Sequence, residues 1–155
     1  MNIRISARAL LINPEGQILL LKTNPDVFDP SGKIKSPYWI TPGGSVEFNE
    51  TPAQAVAREI FEECGIDNLD IGPMVWFWEH MLVIEGIPTQ LQDHFFVIRT
   101  VNSRVPIDGM KLCEHEDFLE YRWWNAAEIK ASTEVFTTAA TPPTSSQILI
   151  RKRSS

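Results

Sequence analysis

The chain opens on two apolar, β-leaning runs, residues 3 to 12 and 17 to 22, parted by Asn13-Pro14-Glu15-Gly16, a strong turn signal. Two longer runs rich in aromatic and aliphatic residues come later, Met74 to Ile84 and Leu91 to Val101. Glu85-Gly86-Ile87-Pro88 separates them and predicts an antiparallel pair. Leu119 to Trp124 reads as a short strand, and Trp39-Ile40-Thr41-Pro42-Gly43-Gly44 as another that runs into a tight turn. From residue 51 to 64 the period changes to that of a helix. Thr51 suits the N-cap, Pro52 the first helical position, Gln54 completes a capping box, and Gly65 stops the helix. Ala53, Val56, Ala57, Ile60 and Cys64 form one apolar stripe that belongs in a core. Asn125, with Glu128 three residues on, opens a second, short helix. Residues 23 to 38 and 102 to 118 carry little periodicity and read as irregular stretches, the first a loop over the mouth of a site. Thr141-Pro142-Pro143 and Gln147 to Ile150 suggest a last helical turn and a frayed basic tail.

The predicted helix also carries Glu59, Glu62 and Glu63, whose spacing puts them within an arc of about 100°. Like charges so placed repel, and a helix that only needed solubility would intersperse lysines. Five glutamates (Glu47, Glu50, Glu59, Glu62, Glu63) share the stretch from Gly44 to Ile66 with a single cation, Arg58. A hard divalent cation bound through oxygen, Mg²⁺ or Mn²⁺, is the natural partner. An acidic helix face alone is more often a solvated surface. The strand, the paired glycines and the capped start beside it change that balance, because a glycine turn exposes a backbone carbonyl at Gly43 or Gly44 as a further ligand. Arg58 adjoins the acidic arc, where it could pin a carboxylate.

Composition narrows the picture. A chain of 155 residues, 43% apolar and 22% charged, is that of one ordinary globular domain, here taken across 1–155. The net charge is −6, and most of the imbalance is local to the glutamate cluster. No basic run precedes the terminal Arg151-Lys152-Arg153, which argues against long nucleic acid as a partner, whereas a small polyanion remains compatible once cations invert the local potential. Two cysteines, Cys64 and Cys113, make neither a disulfide framework nor a zinc site. No membrane span and no leader pattern stand out, so the cytoplasm is the expected address.

Gly44, five residues, Glu50, seven residues, Arg58-Glu59-Ile60, one residue, Glu62-Glu63, one residue and Gly65-Ile66 together resemble the complete signature box of the Nudix (MutT-like) hydrolases. The residues from Trp39 to Gly44 and from Tyr121 to Glu128 are similar to the family's usual flanks. The resemblance implies an α/β/α sandwich around a mixed sheet, with the box loop and helix at the site. It implies metal-dependent hydrolysis of a nucleoside diphosphate derivative, a nucleoside triphosphate or a nucleoside diphosphate sugar such as ADP-ribose. By position, Glu62 and Glu63 resemble the metal-binding pair and Glu59 the glutamate that ligates metal or activates water. Arg58 resembles the residue that orients Glu59, Glu50 a more structural partner of that arginine, and Gly43 and Gly44 the source of a carbonyl ligand. Trp39, Gly43 and Gly44 are expected on the substrate side. Family members often add a carboxylate from a loop ahead of the last strand, for which Glu114 is the first candidate and Glu116 the second; His115 lies between them. The general base is thus Glu59, Glu114 or Glu116. A homodimer is compatible with the resemblance.

Trp76, Trp78 and Phe95 would stack a base if they face the cleft, although alternating strand aromatics are more often core. Two other functions stay open: a nucleotide sensor without turnover, which would tend to lose box carboxylates that this chain retains, and an isoprenoid diphosphate isomerase, which needs a catalytic cysteine.

Overall fold

The computed structural model describes residues 2–24, 36–101 and 118–136. It holds eight strands in one curled mixed sheet: β1 (Asn2–Ile12), β2 (Ile18–Thr23), β3 (Tyr38–Ile40), β4 (Gly43–Ser45), β5 (Leu69–Ile84), β6 (Ile87–Thr100), β7 (Phe118–Trp124) and β8 (Val135–Phe136). Helix α1 (Pro52–Cys64) follows β4, and the short helix α2 (Ala126–Ala131) follows β7.

The first two strands scarcely pair with each other. They meet only at Ile12 and Ile18, around the Asn13 turn, where the Gly16 amide returns to the Asn13 carbonyl. β1 instead runs parallel to β6 over its whole length, from Asn2 opposite Thr89 to Ile12 opposite Arg99, and β2 runs antiparallel to β7. The expected hairpin forms, with a tighter turn. Glu85 and Gly86 both take positive φ, 51° and 79°, so a two-residue turn suffices and Ile87-Pro88 joins the strand. Both strands start earlier than their apolar runs, at Leu69 and Ile87.

Strand alternation divides the interior. Ala7, Ala9 and Leu11 of β1, with Phe96 and Ile98 of β6, face α1 and meet Val56, Ile60 and Cys64. Leu20, Trp39 and Trp124 form a separate buried cluster that takes Ile129 of α2. A third cluster (Leu10, Leu21, Tyr38, Ile40, Phe95, Phe118) lines the inside of the curl, with Trp76 and Trp78 packed against it. The capping of α1 matches the expectation: Thr51 and Gln54 form the reciprocal box, and Gly65 closes the helix at φ 72°. Asn125 and Glu128 form a second capping box on α2.

The buried arc of α1 differs from the expected stripe. Ala55, Val56, Ile60, Glu63 and Cys64 are the buried residues, while Ala53 and Ala57 are only partly so. Placing Ala55 inside rotates the buried side toward the carboxylates by about 60°. Glu63 therefore lies on the core side, not on a neighbouring charged face.

Candidate active site

The three residues of β4 lie close to β1. Gly43, Gly44 and Ser45 stand opposite Arg8, Ala7 and Ser6, and Gly43 has φ 146°, a conformation side chains avoid. A Cβ on Gly43 would collide with the Ala7 carbonyl, and one on Gly44 would sit 2.5 Å from Glu59 Oε1. The missing side chain of Gly44 is thus the space that Glu59 occupies.

Arg58 organises the acids around it. Its Nε and Nη2 donate as a fork to Glu50, at 2.8 Å and 3.0 Å, and Nη2 also reaches the Ser45 carbonyl at 3.1 Å. Nη1 donates to Glu59 at 3.0 Å and to Glu62 at 3.2 Å, with Glu47 at 3.7 Å. The guanidinium holds the Glu50 carboxyl down to about 2, and Glu50 in turn raises the affinity of Arg58 for its proton. One cation so ties the loop before α1, the end of β4 and two helical carboxylates together.

Glu63 is outside that arrangement. It is 9% exposed, and the Gly43 amide donates to its Oε2 at 3.3 Å. Burial pushes its carboxyl well above the usual range and the adjacent Glu59 adds to the effect, while Arg8 and the Gly43 amide oppose it. Two carboxylates in contact, one of them buried, with the Arg8 guanidinium and one amide as compensation, suit a cation that accepts oxygen ligands. The donor set therefore fits Mg²⁺ or Mn²⁺. Among the described residues no three of these acids converge on a single point, since Glu62 turns outward to Arg58 and is half exposed.

The structure brings Gly43, Gly44, Arg58, Glu59, Glu62 and Glu63 together. It does not bring Trp39 with them. That ring is 1% exposed and packs edge-on against Trp124 at 5.1 Å, which makes it interior packing in the cluster with Leu20 and Trp124. Glu114, His115 and Glu116 lie outside the described residues. Cys64 is fully buried and burial pushes its thiol up, which disfavours it as the reactive cysteine an isomerase would need. One contributor escaped sequence reasoning: Arg8, whose Nη1 donates to the Thr41 carbonyl at 3.0 Å and whose charge reaches Glu63. A lone arginine inside the apolar run 3 to 12 was the available signal.

A family model described as the NUDIX domain matches residues 2–142. The chain belongs to the Nudix family. It is an enzyme of the pyrophosphohydrolase type, with the family's α/β sandwich fold. It is 27% identical over 135 residues to an RNA pyrophosphohydrolase of Wolbachia pipientis, covering 82% of this chain and 77% of that one. Over 30 residues it is 60% identical to an 8-oxo-dGTP diphosphatase of Proteus vulgaris, a match that spans 19% of this chain and 27% of the other. Among solved structures, a MutT protein from Methanosarcina mazei aligns over 99% of this chain and 95% of its own, with a TM-score of 0.65 at 22% identity. The E. coli dihydroneopterin triphosphate pyrophosphohydrolase aligns over 86% and 90%, with a TM-score of 0.59 at 20% identity. Both structural likenesses concern the fold. Hydrolases of this family generally use divalent metal ions. No helix of the described residues is long and apolar enough to cross a membrane.

Proposed function

We propose that this Nudix enzyme hydrolyses the phosphoanhydride of a free nucleotide, a nucleoside triphosphate or a nucleoside diphosphate sugar, and depends on Mg²⁺ or Mn²⁺ to do so. The observation that carries the reading is the Glu59–Glu63 pair set against the Gly43-Gly44 backbone, with burial of the Glu63 carboxyl outweighing the compensation from Arg8 and the Gly43 amide. When bound, the cation would supply charge neutralisation for the phosphate oxygens and acidify the attacking water. Glu59, Glu62 and Glu63 would hold it, with the Gly44 carbonyl as a backbone ligand.

The remaining steps belong to the chain's own groups. Arg58 fixes the orientation of Glu59 through Nη1, and Glu50 fixes Arg58 through the two-pronged contact. Glu59 accepts the proton of the attacking water as its oxygen bonds to phosphorus and the bridging P–O bond breaks. The electron pair leaves with the departing phosphate. Glu114 is the alternative acceptor. Gly43 donates to Glu63 and keeps the diglycine backbone close to the acids.

A second reading, the triphosphate end of an RNA, is favoured by the match to an RNA pyrophosphohydrolase along 82% of the chain. The net charge of −6 favours the free nucleotide, since a long polyanion gains nothing from this surface. One panel tests both: nucleoside triphosphates, nucleoside diphosphate sugars and a 5′-triphosphorylated RNA, each with Mg²⁺ and with a chelator. Nucleoside monophosphate with pyrophosphate from a triphosphate, or with a sugar phosphate from a nucleoside diphosphate sugar, in Mg²⁺ alone is the expected outcome. Turnover that survives the chelator, or turnover of the RNA only, overturns the proposal.

A further inference from the structure

The sheet face opposite α1 carries two rows of side chains that end at the diglycine strand. Cross-strand partners in register share a face. Trp76, Phe95, Arg8 and Gly43 form one row across β5, β6, β1 and β4, and Trp78, Asp93, Ser6 and Ser45 form the next. Three strand spacings, about 14 Å in all, separate β5 from β4 along each row. The Trp76 and Trp78 rings lie 20° from parallel at 6.3 Å, and His80 stacks on Trp78 at 4.0 Å. Trp78 thus sits between Trp76 and His80 and is only partly buried, so part of its ring remains accessible beside Asp93.

Asp93 is the unexpected member of this wall. Only 8% exposed, it stands in a strand between Trp78 and Ser6, and among the described residues its hydrogen-bond partner is the Ser6 hydroxyl. Aspartate is disfavoured in strands, and a buried carboxylate is costly unless its oxygens are satisfied. A hydroxyl supplies one donor, while an ionised carboxylate has about four acceptor positions and nothing to donate.

We propose that the row of Trp78, Asp93 and Ser6 is the base-selecting wall of the substrate site, and that it takes a base presenting two adjacent donors, as guanine does with N1–H and its 2-amino group. Adenine, cytosine and uracil each set an acceptor beside the donor on that edge, which would turn a lone pair toward Asp93. Trp78, next to Asp93 in the row, supplies an aromatic contact for the base. Arg8, one strand from Gly43 on the same face, puts a cation between the wall and the glutamates, where the phosphates of a nucleotide would pass. The inference rests on the phosphoanhydride reading above for the position of those phosphates.

The test uses the full chain in Mg²⁺. The ratio of kcat/KM for GTP over ATP is expected at about tenfold or more, with ITP, which lacks the 2-amino group, in between. Asp93→Asn is expected to lower kcat/KM for GTP more than for ATP and so collapse that ratio, and Ser6→Ala to narrow it. Tryptophan fluorescence, titrated with GMP and AMP, reads the wall without turnover, and tighter quenching by GMP is expected. A flat or adenine-first ranking in the wild-type protein overturns the proposal, as does a folded Asp93→Asn that keeps the GTP preference. Selective quenching by GMP without any hydrolysis would overturn the hydrolase reading instead, and leave the wall standing.

Discussion

Two arginines sit beside two capped helices, and the company they keep differs. Arg122 on β7 bonds one carboxylate, Glu128 of α2, and lies 3.8 Å over the Trp124 ring. Arg58 on α1 has four carboxylates within 3.7 Å, and one of them, Glu59, in turn touches Glu63. The first pair is neutral, partly exposed and complete. The second leaves a surplus of negative charge, part of it buried. The charge left over, more than the ion pairing itself, separates a brace from a site, because a surplus held at a folding cost has a use that stability does not explain.

The contrast can be broken from the Arg58 side first. Glu59→Gln is expected to lower kcat by about 10²-fold or more in steady-state assays, and near-normal turnover on every substrate would remove Glu59 from proton transfer. Gly44→Ala comes next. Its methyl would displace Glu59, and a shift of about 1 Å at a reacting group costs about 10²-fold, so kcat should fall in a protein whose circular dichroism is unchanged. Glu63→Gln should likewise abolish Mg²⁺-dependent activity. In the absence of metal this variant should melt at a higher temperature than the wild type, since an amide at that position carries no charge into the core; a lower melting point would contradict the account of Glu63.

Acid unfolding sharpens the comparison further. Glu50 has a folded carboxyl held to about 2, below its ordinary 4.5. The stability it contributes is therefore full above about pH 4.5 and fades as pH falls toward 2. Glu50→Gln should flatten the acid limb of a stability–pH curve and leave its neutral region similar in shape. The smallest effect is expected on the other side: Arg122→Ala should lower the urea midpoint only slightly, with kcat unchanged, because its ion pair is largely exposed and its other contact is the Trp124 ring.

What the sequence made legible was local. Both capping boxes, the Gly65 stop and the acid spacing of α1 depend on neighbours three or four positions apart, and all appear as expected. Long-range pairing was not legible. Two adjacent apolar runs with a turn between them suggest a hairpin, yet β1 meets β2 only at Ile12 and Ile18 and pairs with β6 along its length. Burial of Glu63 was hidden for a related reason: a helical wheel gives angles between side chains but not the direction of the sheet. Trp39 shows the same limit, since a tryptophan at a strand end serves equally well as stacking surface or as packing for Trp124.

The parallel union of the first strand with β6 also bears on how the protein is made. Ser6 waits for Asp93, 87 positions further on, and every other rung of that ladder is as far apart. During synthesis the opening segment leaves the ribosome with its mate still untranslated, so the diglycine strand that leans on it has no seat until nearly two-thirds of the polypeptide has emerged. A nascent chain arrested before residue 87 should be digested by protease at its amino end, and one arrested well past residue 100 should resist.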